Sequence, residues 1–452
     1  MGAALHLRSL LVKAPCGARV MLRFEILLKC LGQALATQGA RSLNGIVPFG
    51  EVIYQVAMDT VQQLREIRRD PEVRESLAWA ASADADEITE HVNAVVTDVG
   101  KTLPPRLCKA ISSYLTHFPP VLRQALKRPS DPTGRTVPPA LVLETPEDLL
   151  PFLPPRVPRF RAGDRPRDPL TSWRLVELLG MSNFGETWKA RHTDDKSKPP
   201  AVLKMCTDIE APDVLTRHAI EIQVAQERGC LAGIVPFTGC FRDIDPPVCR
   251  YDLVEGGDFS GLARDGDPAP NSKRTEQVTR LMQRAAKIVG GLHRLTPPIV
   301  HRGIKPRNLF LQQTGAGRYA VRVLDIGVGA LSAARLNMAD KLGQVPQAEV
   351  LASSLRGSFM PLYASPQQMR AEPIDVRDDV HALAVVWYQM ILADLGATPT
   401  GRDWISDLKK GGVHETHIRL LSACVNPRVE RRPADAMVLA DEFGSLLAGS
   451  SG

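Results

Sequence analysis

Apolar residues recur at helical spacing in the first part of the chain. Leucine, isoleucine and valine return every three or four positions over 22–31 and again over 52–64. A period of about 3.6 residues predicts amphipathic helices that bury one face against each other. We therefore predict an all-α bundle of four or five helices over 21–128, after a flexible leader over 1–20.

Turn-forming residues interrupt this pattern and place the helix boundaries. Ser82 or Asp84 is expected to cap one helix, because a short oxygen-bearing side chain accepts hydrogen bonds from the first backbone N–H groups of a helix. The interruptions fall at 39–50, at Asp70-Pro71, at 82–86 and at 100–105.

The composition changes after the bundle. Eleven of the 36 prolines lie between residues 129 and 170, and arginines crowd the last part of that stretch. Proline has no backbone N–H and cannot continue a helix or a central strand. We predict a semi-rigid, proline- and arginine-rich linker over 129–170.

Downstream of residue 171 the pattern predicts short strands. The segment 173–179 is one strand, and Gly180 to Gly185 turns the chain back into another. Residues 201–204 form a third apolar strand that ends on Lys204, and Glu221 lies on a helix after it. A glycine-rich turn lets backbone N–H groups approach phosphate oxygens closely. Taken alone, however, this turn is better explained as an ordinary hairpin.

Charge and cysteine content limit the partners, metal sites and compartment that can be expected. The net charge of +6 favours contact with phosphates or acidic partners without naming one. The eight cysteines form no C-x-x-C pair, which argues against zinc and favours a reducing, cytoplasmic compartment. We expect Cys230, Cys240 and Cys249 to be buried packing residues rather than a metal or redox site. No apolar run reaches the roughly 20 residues that a bilayer-spanning helix needs.

The most specific pattern of the chain lies in the segment 299–310, hereafter the 299–310 loop. It reads HRGIKPRNLF from residue 301, and DIG follows at 325–327. Here the sequence resembles the protein kinase superfamily, whose loop reads His-Arg-Asp-Leu-Lys-Pro-x-Asn and whose metal-binding motif reads Asp-Phe-Gly. The resemblance continues at 363–367, 379–383 and 432–433.

More narrowly, the arrangement resembles bacterial eukaryotic-like serine/threonine protein kinases of the planctomycete type, including the proline-rich segment 147–155. The resemblance implies an α+β, two-lobed kinase-like fold over 171–447. A small β-rich N-lobe would precede a helical C-lobe, and ATP would lie between the lobes.

The resemblance also implies which residues hold ATP and Mg²⁺. Asn308 and Asp325 would supply hard oxygen ligands to Mg²⁺, and Lys305 would neutralise the γ-phosphate. Lys204, aligned by Glu221, would contact the α- and β-phosphates. The remaining expected contacts are the glycine-rich turn at Gly180, Ser182 and Gly185, and the backbones of Asp252 and Val254 against adenine.

Three departures from the family pattern weaken the expected catalysis. The mildest is Ile326 in place of phenylalanine, because an apolar residue of similar size still packs there. Gly303 stands where the family has the aspartate that accepts the proton of the substrate hydroxyl, and the 299–310 loop contains no other carboxylate. Loss of a positioned base costs about two to four orders of magnitude in rate. Gln367 replaces a glutamate expected to pair with Arg432, which weakens a charge-assisted contact.

Two functional hypotheses follow. The favoured one is an ATP- and Mg²⁺-binding signalling protein that is catalytically impaired, a pseudokinase, with a protein partner. The alternative is an active but slow serine/threonine kinase that phosphorylates itself or a protein partner. No nucleic-acid partner is expected, and membrane contact by the bundle is the less favoured role of the N-terminal region.

Overall fold

The protein is described here by a computed structural model. Its described residues are 26–37, 55–63, 71–127, 131, 133–138, 146–149, 152–154, 158–181, 185–206, 220, 223, 227, 233–264, 271–315, 318–326, 362–370, 372–399 and 403–449. The predicted leader over 1–20 lies outside the described residues, and so do Ser182 and Glu221.

Helices make up the N-terminal region, as the periodicity predicts. One of them starts at Asp84, one of the two expected caps, because the Asp84 carboxylate accepts hydrogen bonds from the backbone N–H groups of Asp86 and Glu87. The Glu87 side chain in turn accepts from the Asp84 N–H at 3.1 Å, which completes a capping box. The described helices are α1 (26–37), α2 (55–63), α3 (Pro71–Ser82), α4 (Ala85–Val99) and α5 (Pro105–Leu126).

Apolar side chains from all five helices form one buried cluster. The predicted linker adds to it, because Leu149, at the end of the short helix α6 (Pro146–Leu149), and Phe152 and Leu153 are buried in the same cluster. This stretch therefore stabilises the helical region by hydrophobic burial. The boundaries of 21–128 and 129–170 stay predictions.

A five-stranded antiparallel sheet follows, in the order β1-β2-β3-β5-β4. Successive side chains along a strand point to opposite faces. Leu203 and Met205 are buried in the cluster on one face, so Lys204 between them belongs to the other face. The strands are β1 (Trp173–Met181), β2 (Gly185–His192), β3 (Ala201–Cys206), β4 (Phe237–Phe241) and β5 (Val248–Asp252).

The C-terminal part is mainly helical and contains a small antiparallel sheet of order β6-β7-β8. Its centre is α10, whose residues from Asp378 to Ile391 are all buried. The helices are α7 (Phe259–Arg264), α8 (Ser272–His293), α9 (Pro366–Met369), α10 (Arg377–Leu392), α11 (Trp404–Lys410), α12 (Glu415–Cys424) and α13 (Ala436–Gly449). The strands are β6 (Gly256–Asp258), β7 (Leu309–Gly315) and β8 (Arg318–Val323).

The helical region packs directly on the first sheet. Helix α5 lies against β1, and the Gln124 side-chain amide donates a hydrogen bond to Glu177 at 2.9 Å. The Tyr114 hydroxyl donates to the Pro154 carbonyl at 2.7 Å, which joins α5 to the chain that leads into the sheet.

These elements confirm the predicted α+β fold, a β-rich N-lobe and a helical C-lobe preceded by helices. Within the described ranges, no helix is both long enough and apolar enough to cross a membrane.

Candidate functional site

The cleft between the two lobes is bridged by an ion pair. Lys204 on β3 and Asp325, two residues after β8, place Nζ and Oδ1 2.5 Å apart. The lysine side chain is 13% exposed and the aspartate 40%, so the pair lies at the mouth of the cleft. Asp325 adopts φ 58°, a left-handed backbone conformation that is uncommon for residues other than glycine. The two charges, 121 positions apart in sequence, therefore meet between the lobes, whereas the partner that the resemblance implies for Lys204 is Glu221, which lies outside the described residues.

The backbone of the 299–310 loop is held by one buried carboxylate. Asp379, on α10, accepts hydrogen bonds from the N–H groups of His301 and Arg302, each at 2.7 Å. His293 Nε2, at the end of α8, lies 3.0 Å from the same carboxylate. Burial opposes ionisation of Asp379, but these hydrogen bonds and the nearby imidazoles hold its pKa below its usual value.

Gly303 occupies a well-defined place in this loop. Its N–H donates to His301 Nδ1 at 3.3 Å, and its carbonyl oxygen accepts from Asn308 Nδ2 at 2.8 Å. His301 Nε2 lies 2.8 Å from the Leu324 carbonyl, which ties the loop to the residue preceding Asp325. The backbone at position 303 is therefore anchored on both sides, while the side chain that would act on a hydroxyl is missing.

Asn308 is oriented by its own amide. It ends a short 3-10 helix, Pro306–Asn308, and is buried. Because its NH₂ group donates to Gly303, the amide oxygen is its acceptor atom. The Leu324 N–H donates to the Asn308 backbone carbonyl at 2.9 Å, so the segments that carry Asn308 and Asp325 are joined.

Amide and carboxylate oxygens are the ligands that Mg²⁺ prefers. Asn308 and Asp325 therefore fit this ion in donor chemistry, with water or phosphate oxygens completing its shell. No cluster of three or more histidine, cysteine or acidic residues occurs in the described part of the chain, so a cage made only of such side chains is not seen there.

Lys305 lies on the same loop and is half-buried. Desolvation lowers the pKa of Lys305 to about 8, and the Asp325 carboxylate partly opposes this shift. The ammonium group is thus retained at neutral pH, in a place where a bound anion would stabilise its charge.

Four of the other expected contact residues, Gly180, Gly185, Asp252 and Val254, belong to the described residues. Asp252 ends β5, and Val254 follows it as a partly buried residue packed on the C-lobe core. Gly185 has a packing reason to be glycine, because a Cβ there would lie 1.7 Å from the Met205 carbonyl oxygen. Gly180 has no such neighbour within 4 Å among the described residues. Ser182 and Glu221 cannot be placed, since they lie outside these residues.

The segment after the cleft makes the contact expected for Gln367. Arg432 Nη2 donates to the Gln367 side-chain oxygen at 2.7 Å, and the Gln367 amide donates to the Pro427 carbonyl at 2.6 Å. Next to it, the Gln368 amide donates to the Arg302 carbonyl at 3.0 Å. The substitution therefore keeps a hydrogen bond but lacks the opposite charge that would strengthen it.

Sequence reasoning missed the structural roles of two buried carboxylates, Asp379 beside the cleft and Glu186 where the helical region joins the N-lobe. Asp379 was noted only as part of a matched helix, and its role as acceptor for two loop N–H groups depends on the fold. Glu186, on β2, was not singled out at all, although it is completely buried. It lies in a polar stretch next to Gly185, and nothing in that local pattern signals burial.

Comparison with known proteins places these features in one family. The family described as "Protein kinase domain" matches residues 173–443, which is more than half of the chain. This range includes the cleft residues Lys204, Gly303 and Asp325.

Several of the relatives are bacterial serine/threonine kinases. "Serine/threonine-protein kinase A" of Synechocystis sp. is 29% identical over 257 residues, which cover 54% of this chain and 44% of that protein. "Serine/threonine-protein kinase Pkn1" of Myxococcus xanthus is 25% identical over 246 residues, covering 53% and 32%. The chain thus spans less than half of the length of either relative.

Among solved structures, the kinase domain of Mycobacterium tuberculosis PknI is similar at 16% identity. One crystal structure of it gives a TM-score of 0.43 and covers 63% of this chain and 99% of that one.

Proposed function

The chain belongs to the protein kinase family, and we propose that it binds ATP with Mg²⁺ as a signalling protein whose phosphoryl transfer is weak or absent. The observation that carries this proposal is that the cleft keeps the residues expected to bind nucleotide and metal but lacks the residue expected to act as the base. Lys204, Asn308 and Asp325 are retained and joined by contacts, whereas position 303 has no side chain.

The nucleotide-binding half of the proposal rests on charge and position. Lys204 and Lys305 supply two positive charges close to the carboxylate of Asp325, which pairs with Lys204. In the proposed complex Lys204 would contact the α- and β-phosphates, and the side-chain oxygens of Asn308 and Asp325 would hold Mg²⁺. The metal would neutralise phosphate charge. The backbones of Asp252 and Val254 would hold the adenine edge, and Gly180, Ser182 and Gly185 would cover the phosphates.

The catalytic half of the proposal rests on Gly303. Phosphoryl transfer to a hydroxyl needs a group that orients the nucleophile and accepts its proton. Glycine supplies neither function, and in the proposed complex Asp325 would be committed to the metal. We therefore propose a pseudokinase whose nucleotide-bound form is recognised by a protein partner in the cytoplasm. The alternative, a slow kinase acting on itself or a partner, is favoured only by the anchored backbone of the loop.

Nucleotide binding is tested by thermal unfolding with ATP and Mg²⁺. A ligand present at 100 times its dissociation constant stabilises the folded state by about 2.7 kcal/mol, so the melting temperature should rise. Lys204→Met should remove most of this rise. Lys198→Met, at an exposed lysine of the same lobe, should keep it. An unchanged melting temperature at millimolar ATP with metal would disprove nucleotide binding.

A transfer assay with radiolabelled ATP separates the two hypotheses. Incorporation into the protein or a generic substrate near the family's usual turnover, about 1–100 per second, would rule out the pseudokinase reading. Binding without measurable transfer is the expected result.

A further inference from the structure

Two thiols meet on the sheet that forms the N-lobe side of the cleft. Cys240 on β4 lies directly opposite Cys249 on β5, and the Cys249 thiol donates a hydrogen bond to the Cys240 sulfur, with the Sγ atoms 3.4 Å apart. Both thiols are free. Because opposite residues of an antiparallel pair share one face, the register of the sheet itself brings the sulfurs together.

The same row of residues continues into the cleft. Cys249 is also opposite Lys204 on β3, and Lys204 makes the ion pair with Asp325. Cys240, Cys249 and Lys204 therefore occupy neighbouring positions on one face of three adjacent strands. A bond between the two sulfurs would form one strand away from the lysine of the cleft.

The two thiols differ in reactivity. The hydrogen bond from Cys249 and the nearby Arg242 guanidinium lower the pKa of Cys240, which is only half-buried. The hydrogen bond to Cys240 and burial raise the pKa of Cys249, which is fully buried. The thiolate is the nucleophilic form of cysteine. Cys240 is thus the thiol that an oxidant reaches first, and Cys249 is the thiol placed to react with the product.

We propose that Cys240 and Cys249 form a redox-modification site, in which a peroxide converts the two thiols into a disulfide. The geometry needs little change. A disulfide holds its sulfurs about 2.0 Å apart and tolerates Cα separations of about 4.4–6.8 Å. Opposite residues of an antiparallel pair have Cα atoms about 4.5–5.5 Å apart, which lies inside that range.

The reaction balances with hydrogen peroxide as the oxidant. The Cys240 thiolate attacks one peroxide oxygen, the O–O bond breaks, and one water leaves after protonation, which gives a sulfenic acid at Cys240. The Cys249 sulfur then attacks the sulfenic sulfur, and the hydroxyl departs as a second water with the proton of the Cys249 thiol. In total, one peroxide is reduced to two waters and two thiols are oxidised to one disulfide. A dithiol reductant reverses the step by exchange.

This inference revises the expectation that these cysteines are only packing residues. Burial does account for Cys249, but it does not explain why a second, half-exposed thiol stands in register with it. The proposal is independent of nucleotide binding, because its readout is the sulfur–sulfur bond.

The test treats the full chain, fully reduced, with stoichiometric hydrogen peroxide and then alkylates the remaining thiols. Trypsin cuts after Arg228, Arg242 and Arg250, so the disulfide should link the peptides 229–242 and 243–250. The intact mass should fall by two hydrogen atoms, and dithiothreitol should restore it.

Matched variants identify the bond. Cys240→Ser and Cys249→Ala should each abolish the linked peptides, and Cys240→Ser changes a half-exposed side chain, so it keeps the test valid if the buried variant does not fold. Cys230→Ser, in the same tryptic peptide as Cys240, and Cys108→Ser, on α5, should retain the link. The proposal fails if peroxide produces no link, if Cys240→Ser retains it, or if Cys240 becomes overoxidised while Cys249 is still alkylated.

Discussion

Two buried carboxylates, one in each lobe, accept hydrogen bonds from two consecutive backbone N–H groups. Asp379 in the C-lobe accepts the consecutive N–H groups of His301 and Arg302. Glu186 in the N-lobe accepts the consecutive N–H groups of Arg159 and Phe160, at 2.6 and 3.3 Å. Each also meets a ring nitrogen, which is His293 Nε2 for Asp379 and, on the same strand, Trp188 Nε1 for Glu186. The N–H groups of an irregular segment have no backbone acceptors in a helix or a sheet, and burying an N–H group without an acceptor costs free energy. A carboxylate fixed in the fold supplies the acceptor and so holds the segment in place.

What the two carboxylates hold is different. Asp379 anchors the loop that carries Gly303 and Lys305. Glu186 anchors the stretch that leads from the helical bundle into β1, and it also accepts from Trp188 Nε1 at 2.9 Å. His117 of α5 packs edge-on against Trp188, with ring centroids 6.1 Å apart. The first carboxylate therefore organises the cleft, and the second attaches the bundle to the N-lobe.

The two regions are also close in the sheet. Glu186 is opposite Met205 on β3, and the next pair in register is Thr187 opposite Lys204. The attachment of the bundle is thus one residue away from the lysine of the cleft. Because the contact of Glu186 with this stretch is buried, the helical region packs on the N-lobe and is not connected to it by the linker alone.

Asp379→Asn should have the largest effect. The amide presents an N–H group to donors that need an acceptor, and breaking a buried charged network costs about 3–5 kcal/mol. Urea unfolding should report this loss, and amide hydrogen exchange at His301 and Arg302 should accelerate. Asp407→Asn, at an exposed carboxylate paired with Lys410, is the control and should cost less than about 1 kcal/mol. Equal losses in both variants would contradict the role of Asp379.

Gly303→Asp tests whether the 299–310 loop, which Asp379 holds, supports phosphoryl transfer once the missing carboxylate is restored. Gly303 is not among the positive-φ residues, whereas Arg302 has φ 52°, so aspartate meets no left-handed strain there. We expect phosphoryl transfer to rise by roughly 100-fold, about 2.7 kcal/mol of barrier, in turnover rather than in ATP affinity. Gly303→Asn, similar in size but unable to act as a base, should stay inactive. An inert Gly303→Asp protein that binds ATP would move the defect to the segment of Gln367.

Glu186→Gln should weaken the attachment of the bundle by about 2 kcal/mol, because a neutral amide replaces the charged acceptor of three donors. Urea unfolding measures the loss, and limited trypsin digestion should cut faster at Arg159 and Arg161. Glu177→Gln is the matched control at the same interface, where the half-buried carboxylate accepts a single hydrogen bond from Gln124. If the two variants lose equal stability, Glu186 is not a special attachment point.

The smallest expected effect is a pH dependence of the unfolding free energy, and it arises in the C-lobe. His381 lies two positions after Asp379, and burial together with the Arg432 guanidinium lowers its pKa from 6.5 to about 4. A depressed folded-state pKa contributes stability that is present above about pH 6.5 and is lost as the pH falls towards 4. Between about pH 7.5 and 5.5 this amounts to about 1 kcal/mol. His381→Gln should reduce the pH dependence of urea unfolding by that amount, while the exposed His414→Gln should not. Superimposable pH profiles for wild type and His381→Gln would refute the assignment.

The sequence by itself determined the local elements and the family. Helical periodicity predicted the N-terminal helices, and Asp84 is one of the two residues expected to cap the helix that it caps. The motifs at 301–310 and 325–327 indicated the fold through their resemblance to the protein kinase superfamily. These signals are readable because they depend on neighbours a few residues away or on ordered motifs. The absence of a carboxylate at Gly303 is likewise a property of the sequence alone.

Tertiary structure alone decided which polar groups are buried and what they meet. Glu186 lies 27 positions from Arg159, and Asp379 lies 78 positions from His301. The thiols of Cys240 and Cys249 meet because two strands pair in one register. The sequence around a polar residue in a strand does not show which face of the strand another segment will pack against. Its burial depends on a distant segment packing over it, and pairing between segments is fixed only when the whole chain has folded.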